Sequence, residues 1–213
     1  MGSNYEMKYI NLIENKPYLT KQELGLLLEK SGKNLDKKIL NLIKKEDLIS
    51  LKKGLYVSKN YLVKKPSSYE EYIANMIYYP SYLSSEYVLA KNGIIPENVY
   101  VFTSVSLRRT RFFENKLGNF SYQKIKETFF TGYNRKDFFG NLKINIASTA
   151  KALFDFFYFK PLDSYENDIA NVRINWHMLR KEDINEFLGY VKLSDSPKMR
   201  RTFRLLKKTY DRR

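Results

Sequence analysis

The chain of 213 residues has no cysteine and only one histidine and one tryptophan. Without cysteine there is no disulfide, no zinc finger of any type and no thiol nucleophile. The absence also fits a reducing compartment, so a cytoplasmic protein is expected. His177 is the sole imidazole, and any serine–histidine hydrolase would have to use it. It follows Trp176, lies between Asn175 and Arg180, and has no Gly-x-Ser-x-Gly elbow to serve, so a structural or surface role is expected. Neither a Gly-x-x-x-x-Gly-Lys loop nor a Gly-x-Gly-x-x-Gly turn occurs. No stretch approaches the ~18 apolar residues of a membrane span. Met1-Gly2-Ser3-Asn4 has neither the basic nor the apolar region of a secretion signal. The expectation is a protein without cofactor, metal or membrane partner, and not an enzyme.

Positive charge is abundant. Lys and Arg number 38 against 23 acids, a formal net charge of +15. Released counterions drive binding of such a chain to phosphate backbones. A bias toward Lys, Asn, Ile and Tyr also follows from AT-rich coding, so the distribution weighs more than the total. Residues 1–62 hold 12 lysines against 7 acids, and residues 197–213 hold 8 basic residues against one acid. The charge gathers at the two ends.

The first 62 residues read as three helices followed by a hairpin. Tyr5 to Asn15 is a predicted helix with Tyr9, Ile10, Leu12 and Ile13 on its apolar side, ended by Pro17. Thr20-Lys21-Gln22-Glu23 has the form of a capping box and starts a second helix with Leu24, Leu27 and Leu28 inward. Ser31-Gly32-Lys33 is a turn in which Gly32 suits a left-handed conformation. Asn34 is expected to cap a third helix with Leu35, Ile39, Leu42 and Ile43 on the core side. Its other face carries Asn34, Lys37, Lys38, Asn41, Lys44 and Lys45. A helix in the major groove needs such a face, with cations for phosphates and an amide that can pair with adenine. Leu48–Leu51 and Leu55–Val57 read as strands around a basic Lys52-Lys53-Gly54 turn. Helices in that order followed by a basic hairpin are the winged helix-turn-helix arrangement. The candidate DNA contacts are therefore Asn34, Lys37, Lys38, Asn41, Lys44, Lys45, Lys52 and Lys53. A solvated lysine face or a protein-docking module is the alternative for the same pattern.

Residues 63–213 read as a larger α+β domain, which makes the whole chain α+β. Tyr61–Pro66 is a predicted connector. Helices are expected from Ser67 or Ser68 through Ile77, after Ser84 or Ser85 up to Gly93, over Ala150–Phe159 and Glu182–Val191, and from Pro197. Strand candidates are Tyr100–Thr103, Phe112–Phe113, Phe120–Tyr122, Thr128–Phe130 and Leu142–Ile146, in a mainly antiparallel sheet. The last helix carries Met199, Phe203, Leu206 and Tyr210 on one face and Lys and Arg on the other.

Four pieces, in order, resemble the AbiEi-type antitoxins of abortive-infection, type IV toxin–antitoxin systems. Leu48 to Val57 looks like that family's wing, a basic turn followed by Gly-Leu-Tyr. Tyr82 to Pro96 looks like its Ser pair, small helix and Gly-x-x-Pro. Tyr100-Val101-Phe102-Thr103 precedes Arg108-Arg109-Thr110-Arg111, where the family has a strand and a basic stretch. Ile146 to Asp155 looks like its Ala-Ser-x-x-Lys-Ala-x-x-Asp segment, with Ala150 where the family usually has Glu. The resemblance covers about residues 5–160 and implies two roles. One is repression of the protein's own operon, by binding inverted repeats in double-stranded promoter DNA. The other is antagonism of a nucleotidyltransferase-like toxin by the C-terminal domain, without a stable complex.

Other chemistry stays open at this level. Arg108, Arg109, Arg111 and Lys151 are candidate contacts to phosphate or to a partner, because guanidinium groups bind phosphate in bidentate fashion. Lys151 and Asp155 lie four apart and pair if helical, a structural pair rather than an active site. Asp137 lies six residues before Lys143, but Asn141 stands where the second acid of a metal-dependent nuclease is wanted. The alternatives to an antitoxin are a repressor sensing a small ligand in an aromatic-rich C-terminal pocket, and a nucleic-acid enzyme tethered by the winged helix.

Overall fold

The computed structural model describes residues 12–161, 169 and 171–212. The chain is α+β and divides into two compact units, one comprising Met1–Tyr69 with Phe113–Leu117 and the other Glu70–Phe112 with Gly118–Arg213. The segment Tyr5–Asn11 of the expected first helix lies outside the described residues, while residues 12–15 are helical.

In the first unit, strand β1 (Leu19–Thr20) runs directly into helix α1 (Lys21–Leu27). The capping box forms: Glu23 N–H donates to Thr20 Oγ1 at 3.2 Å, and Thr20 N–H donates to Glu23 Oε2 at 2.8 Å. Helix α2 (Gly32–Lys44) begins earlier than the sequence suggests. Ser31 occupies the N-cap position without a side-chain bond, and Asn34 sits inside the first turn instead of capping it. The reason is Gly32, whose φ of +53° turns the chain into the helix three residues sooner. Strands β2 (Leu48–Lys52) and β3 (Leu55–Ser58) follow, and the sheet order is β1-β3-β2, all antiparallel. Leu19, Leu24, Leu35, Ile39, Leu48 and Tyr56 form the core, with Leu27, Leu28, Leu42 and Ile43 packed against it. Each fully buried leucine contributes roughly 1.5–3 kcal/mol. Tyr61, placed in a connector by the sequence, lies in a short helix, α3 (Lys59–Val63), whose N-cap Ser58 accepts from Asn60 N–H.

The second unit holds five strands, and the start of β6, of a six-stranded sheet of order β6-β7-β5-β4-β9-β8. Its strands are β4 (Ser81–Leu83), β5 (Val101–Ser106), β6 (Arg111–Asn115), β7 (Gly118–Lys124), β8 (Tyr133–Phe139) and β9 (Leu142–Ala147). The sheet is mixed, where a mainly antiparallel one was expected: β5 runs parallel to β7 and β4 parallel to β9. Two placements cause this: β7, not β6, lies beside β5, and β4 takes a central place between β5 and β9. All three of its residues are buried, so it lacks the alternation that marks a strand in sequence. Two further expectations change. Thr128–Phe130 is not a strand; Glu127–Phe129 is a 3-10 turn that buries Phe129. The edge strand β8 was not foreseen, because Asn134 to Asp137 are all exposed and charged or polar.

Helices α4 (Tyr69–Ile77), α5 (Ser85–Lys91), α6 (Thr149–Phe159), α7 (Lys181–Ser194) and α8 (Pro197–Tyr210) complete this part. Asn75 of α4 bonds the backbone of Asn145 in both directions, at 3.3 and 2.5 Å, which ties α4 to β9. Helix α6 is buried from Ala150 through Phe157 and forms the centre of the core. No described helix is long and apolar enough to cross a membrane.

Candidate nucleic-acid interface

Helix α2 presents two opposed faces. At 100° per residue, Leu35, Ile39, Leu42 and Ile43 fall on one arc, and Asn34, Lys37, Lys38, Asn41, Lys44 and Lys45 share an opposite arc of about 120°. The first set meets the core and all six members of the second are exposed. Asp36, between the arcs, is taken up by Lys21 of α1 at 2.5 Å. Lys37, Lys38, Lys44 and Lys45 have no carboxylate partner among the described residues, so their charge is available to a polyanion. Leu40 borders the stripe and is 57% exposed. It went unnoticed in the sequence because a leucine on an amphipathic helix is normally assigned to the core. An exposed aliphatic group beside amide and ammonium groups suits a thymine methyl. A cavity of about 850 Å³ is lined by Leu27, Leu28, Lys38, Leu42 and Leu48 among others.

The β2–β3 turn carries Lys52, half-buried, and Lys53, exposed, around Gly54 at φ +81°. The register of the two strands shifts between Ser50 and Lys52. There the Asn115 amide donates to Leu51 C=O at 2.9 Å, and the same side chain accepts from Leu117 N–H at 2.8 Å. Lys116 binds Glu46 at 2.9 Å, with Lys59 on the same carboxylate at 3.6 Å. These supports of the hairpin come from a segment 64 positions away, and nothing local in the sequence announces them.

Arg108, Arg109 and Arg111 lie in and after the loop that leaves β5, and all are exposed. The Arg108 guanidinium sits 5.6 Å from the centre of the Tyr78 ring, and Tyr78 Oη–H donates to Arg109 C=O at 3.0 Å. The loop is thus held at both arginines.

Lys151 is a correction. As a candidate contact to phosphate or a partner it would need to reach solvent, and its side chain is 0% exposed. It forms an ion pair with Asp155, also fully buried, one turn along α6. Asp155 further accepts from Ser84 Oγ at 2.7 Å and Tyr82 Oη at 3.1 Å. Ser84 therefore gives its hydroxyl to a carboxylate from the core, not to the first turn of α5. The rings of Phe154, Tyr82 and Tyr190 surround the ammonium at 4.9–5.6 Å. Burial pushes Lys151 down and Asp155 up, each against the pull of the other. Burial first, then the Asp155 charge, holds the Tyr82 hydroxyl protonated. Ser148 caps α6 by accepting from Lys151 N–H at 3.0 Å and donates to Glu186 at 2.6 Å, which also accepts from Tyr190 at 2.8 Å. The Lys151–Asp155 pair is fully buried, and its bonds with those of Ser148 tie α6 to Tyr82, Ser84 and α7.

The other candidates are plain surface features. His177 is exposed in the turn Trp176–Met178. Asp137 and Lys143 are an exposed pair at 2.7 Å across β8 and β9, and the hydrogen bond from Lys143 lowers the Asp137 carboxyl below its ordinary value. Among the described residues no three His, Asp or Glu side chains come together as a metal site. No protein-family model matches the chain, and no curated protein matches it.

Proposed function

We propose that the first unit is a winged helix-turn-helix that binds double-stranded DNA, and that the protein is an antitoxin-type autorepressor. The observation that carries the DNA-binding part is the exposed stripe Asn34, Lys37, Lys38, Asn41, Lys44 and Lys45 on α2. It follows a capped helix and a glycine turn and precedes a hairpin with Lys52 and Lys53 at its tip. In this reading α2 enters the major groove, the lysines hold phosphates, and Asn34 or Asn41 addresses a base edge. The hairpin is the wing and meets the adjacent backbone. Arg108, Arg109 and Arg111 are further contacts to phosphate or to a partner.

The antitoxin role rests on the resemblance of residues 5–160 to AbiEi-type proteins. It makes the promoter of the protein's own operon the target and a nucleotidyltransferase-like toxin the antagonised partner.

Fluorescence anisotropy on upstream DNA and on scrambled DNA, at two salt concentrations, tests the first part. Tight, sequence-selective binding is expected. Weak binding without preference would overturn it and leave the +15 charge without a DNA partner. Coexpression with a toxic nucleotidyltransferase encoded beside this protein tests the second part: restored growth is expected from the whole chain, and finding no such gene or no rescue would overturn it.

A further inference from the structure

Helix α8 repeats the geometry of α2 with the cations changed largely to arginine. Met199, Thr202 and Leu206 are buried, and Arg200, Arg201, Arg204, Lys207 and Lys208 are exposed. At 100° per residue those five cations share an arc of about 120° along roughly 12 Å of helix. Arg200 is engaged by Asp195, and Lys207 binds Asp211 at 2.7 Å. Arg204 and Lys208 have no carboxylate partner among the described residues. Beside the stripe, a groove of about 590 Å³ runs between α7 and α8, with Leu188, Val191 and Phe203 as its apolar floor and Lys192, Arg204 and the Arg200–Asp195 pair around it. Phe203 is half-buried, and its ring centre lies 5.8 Å from that of Phe187.

We infer that the α7–α8 groove binds an unpaired polynucleotide strand, with the cations on its phosphates and Phe203 against a base. An aromatic floor beside a row of cations is what a single strand requires, because each unstacked base offers a flat apolar face. A duplex keeps its bases stacked and would leave the floor uncovered. A membrane surface is disfavoured, since the apolar face of α8 is already spent on the core. RNA and single-stranded DNA share this chemistry, and the experiment separates them.

The test uses the full-length protein and labelled oligomers of about 12 nucleotides, within the span of one small binding domain. The probes are an unstructured RNA, DNA of the same sequence, its duplex, and an abasic strand. The protein should bind the RNA or DNA single strand more tightly than the abasic strand. Lys192→Ala/Arg204→Ala/Lys208→Ala should weaken single-strand binding at least tenfold and flatten the salt dependence by about 2 in log–log slope. Phe203→Leu keeps an apolar side chain toward Phe187. It should cost about tenfold on base-bearing strands and nothing on the abasic one. Lys37→Ala/Lys38→Ala/Asn41→Ala should leave the preference for base-bearing over abasic strands unchanged, which separates this site from DNA recognition by the first unit. Four results would overturn the proposal: equal affinity for abasic and base-bearing strands; no single-strand binding at low salt; loss on the duplex alone in the α8 triple variant; or loss of the preference for base-bearing strands through the α2 variant. The abasic comparison needs only the unaltered protein, so it decides even where a variant fails to fold.

Discussion

Removing Asp155 should be among the most damaging single changes in the protein. Both members of the Lys151–Asp155 pair are 0% exposed, so Asp155→Ala leaves an ammonium in the core facing the rings of Phe154, Tyr82 and Tyr190. It also strips the Tyr82 and Ser84 hydroxyls of their acceptor. Breaking a buried pair from one side costs about 3–5 kcal/mol. In a chain of this length each kcal/mol lowers Tm by about 2–4 °C, so a drop on the order of 10 °C is expected. Lys151→Met should cost less, because Asp155 can take up a proton and still serves the Tyr82 and Ser84 hydroxyls, whereas Asp155→Ala leaves both without an acceptor. Burial already pushes the Asp155 carboxyl up, and without Lys151 it rises further. A carboxyl whose folded pKa lies above its unfolded one favours the fold at low pH, and that contribution is lost as pH rises through the folded value. The deficit of Lys151→Met should therefore shrink on acidification and grow toward neutrality. The double change Lys151→Met/Asp155→Ala removes both charges and should recover part of the loss. Thermal and urea unfolding of the four proteins, as a double-mutant cycle, reads this directly. An Asp155→Ala cost below about 1 kcal/mol, or a double variant as unstable as the two singles added, would refute the reasoning.

Three further outcomes follow from the geometry. Gly132→Ala should destabilise by roughly 2–4 kcal/mol, since its Cβ would lie 2.2 Å from Tyr190 Oη and 2.9 Å from Lys151 Cγ at a φ of +76°; adding Tyr190→Phe should recover part of this, and strict additivity in unfolding experiments would count against the clash. Burial raises the Glu23 carboxyl, but Lys16 and the Thr20 cap outweigh it and leave the pKa below its ordinary value. Glu23 thus stabilises above its unfolded pKa and loses that effect as pH falls through the lower folded one, so in acid titrations Glu23→Gln should match the parent at low pH and fall behind it toward neutrality. Lys37→Ala or Lys38→Ala should weaken binding to every DNA sequence and flatten the salt slope, whereas Asn41→Ala should cost about 1–3 kcal/mol on the operator alone; equal losses on operator and scrambled DNA would remove Asn41 from base recognition.

The features that read correctly from sequence are local ones. The capping box needs only Thr20 and Glu23, three residues apart, and the α2 stripe needs only helical periodicity. The β2–β3 hairpin is signalled by apolar runs on either side of a Lys-Lys-Gly turn. Its bulge at Leu51, and the Asn115 amide that serves it, could not be read in the same way.

Periodicity could place Lys151 and Asp155 on one helix face, and so foresaw their pairing. It could not say that α6 is enclosed on every side, because that depends on Tyr82, Ser84, Gly132 and Tyr190 arriving from distant segments. Tyr82 and Asp155 are 73 positions apart. The same limit hid β4, whose three buried residues become a strand only when β5 and β9 supply partners on both sides. Helix caps, turns and amphipathic faces are decided by neighbours within a turn or two of chain, and the sequence by itself determined them here. Whether a charge is buried, which strands run parallel and what holds the hairpin in place are decided by long-range neighbours, and only the tertiary structure settled those.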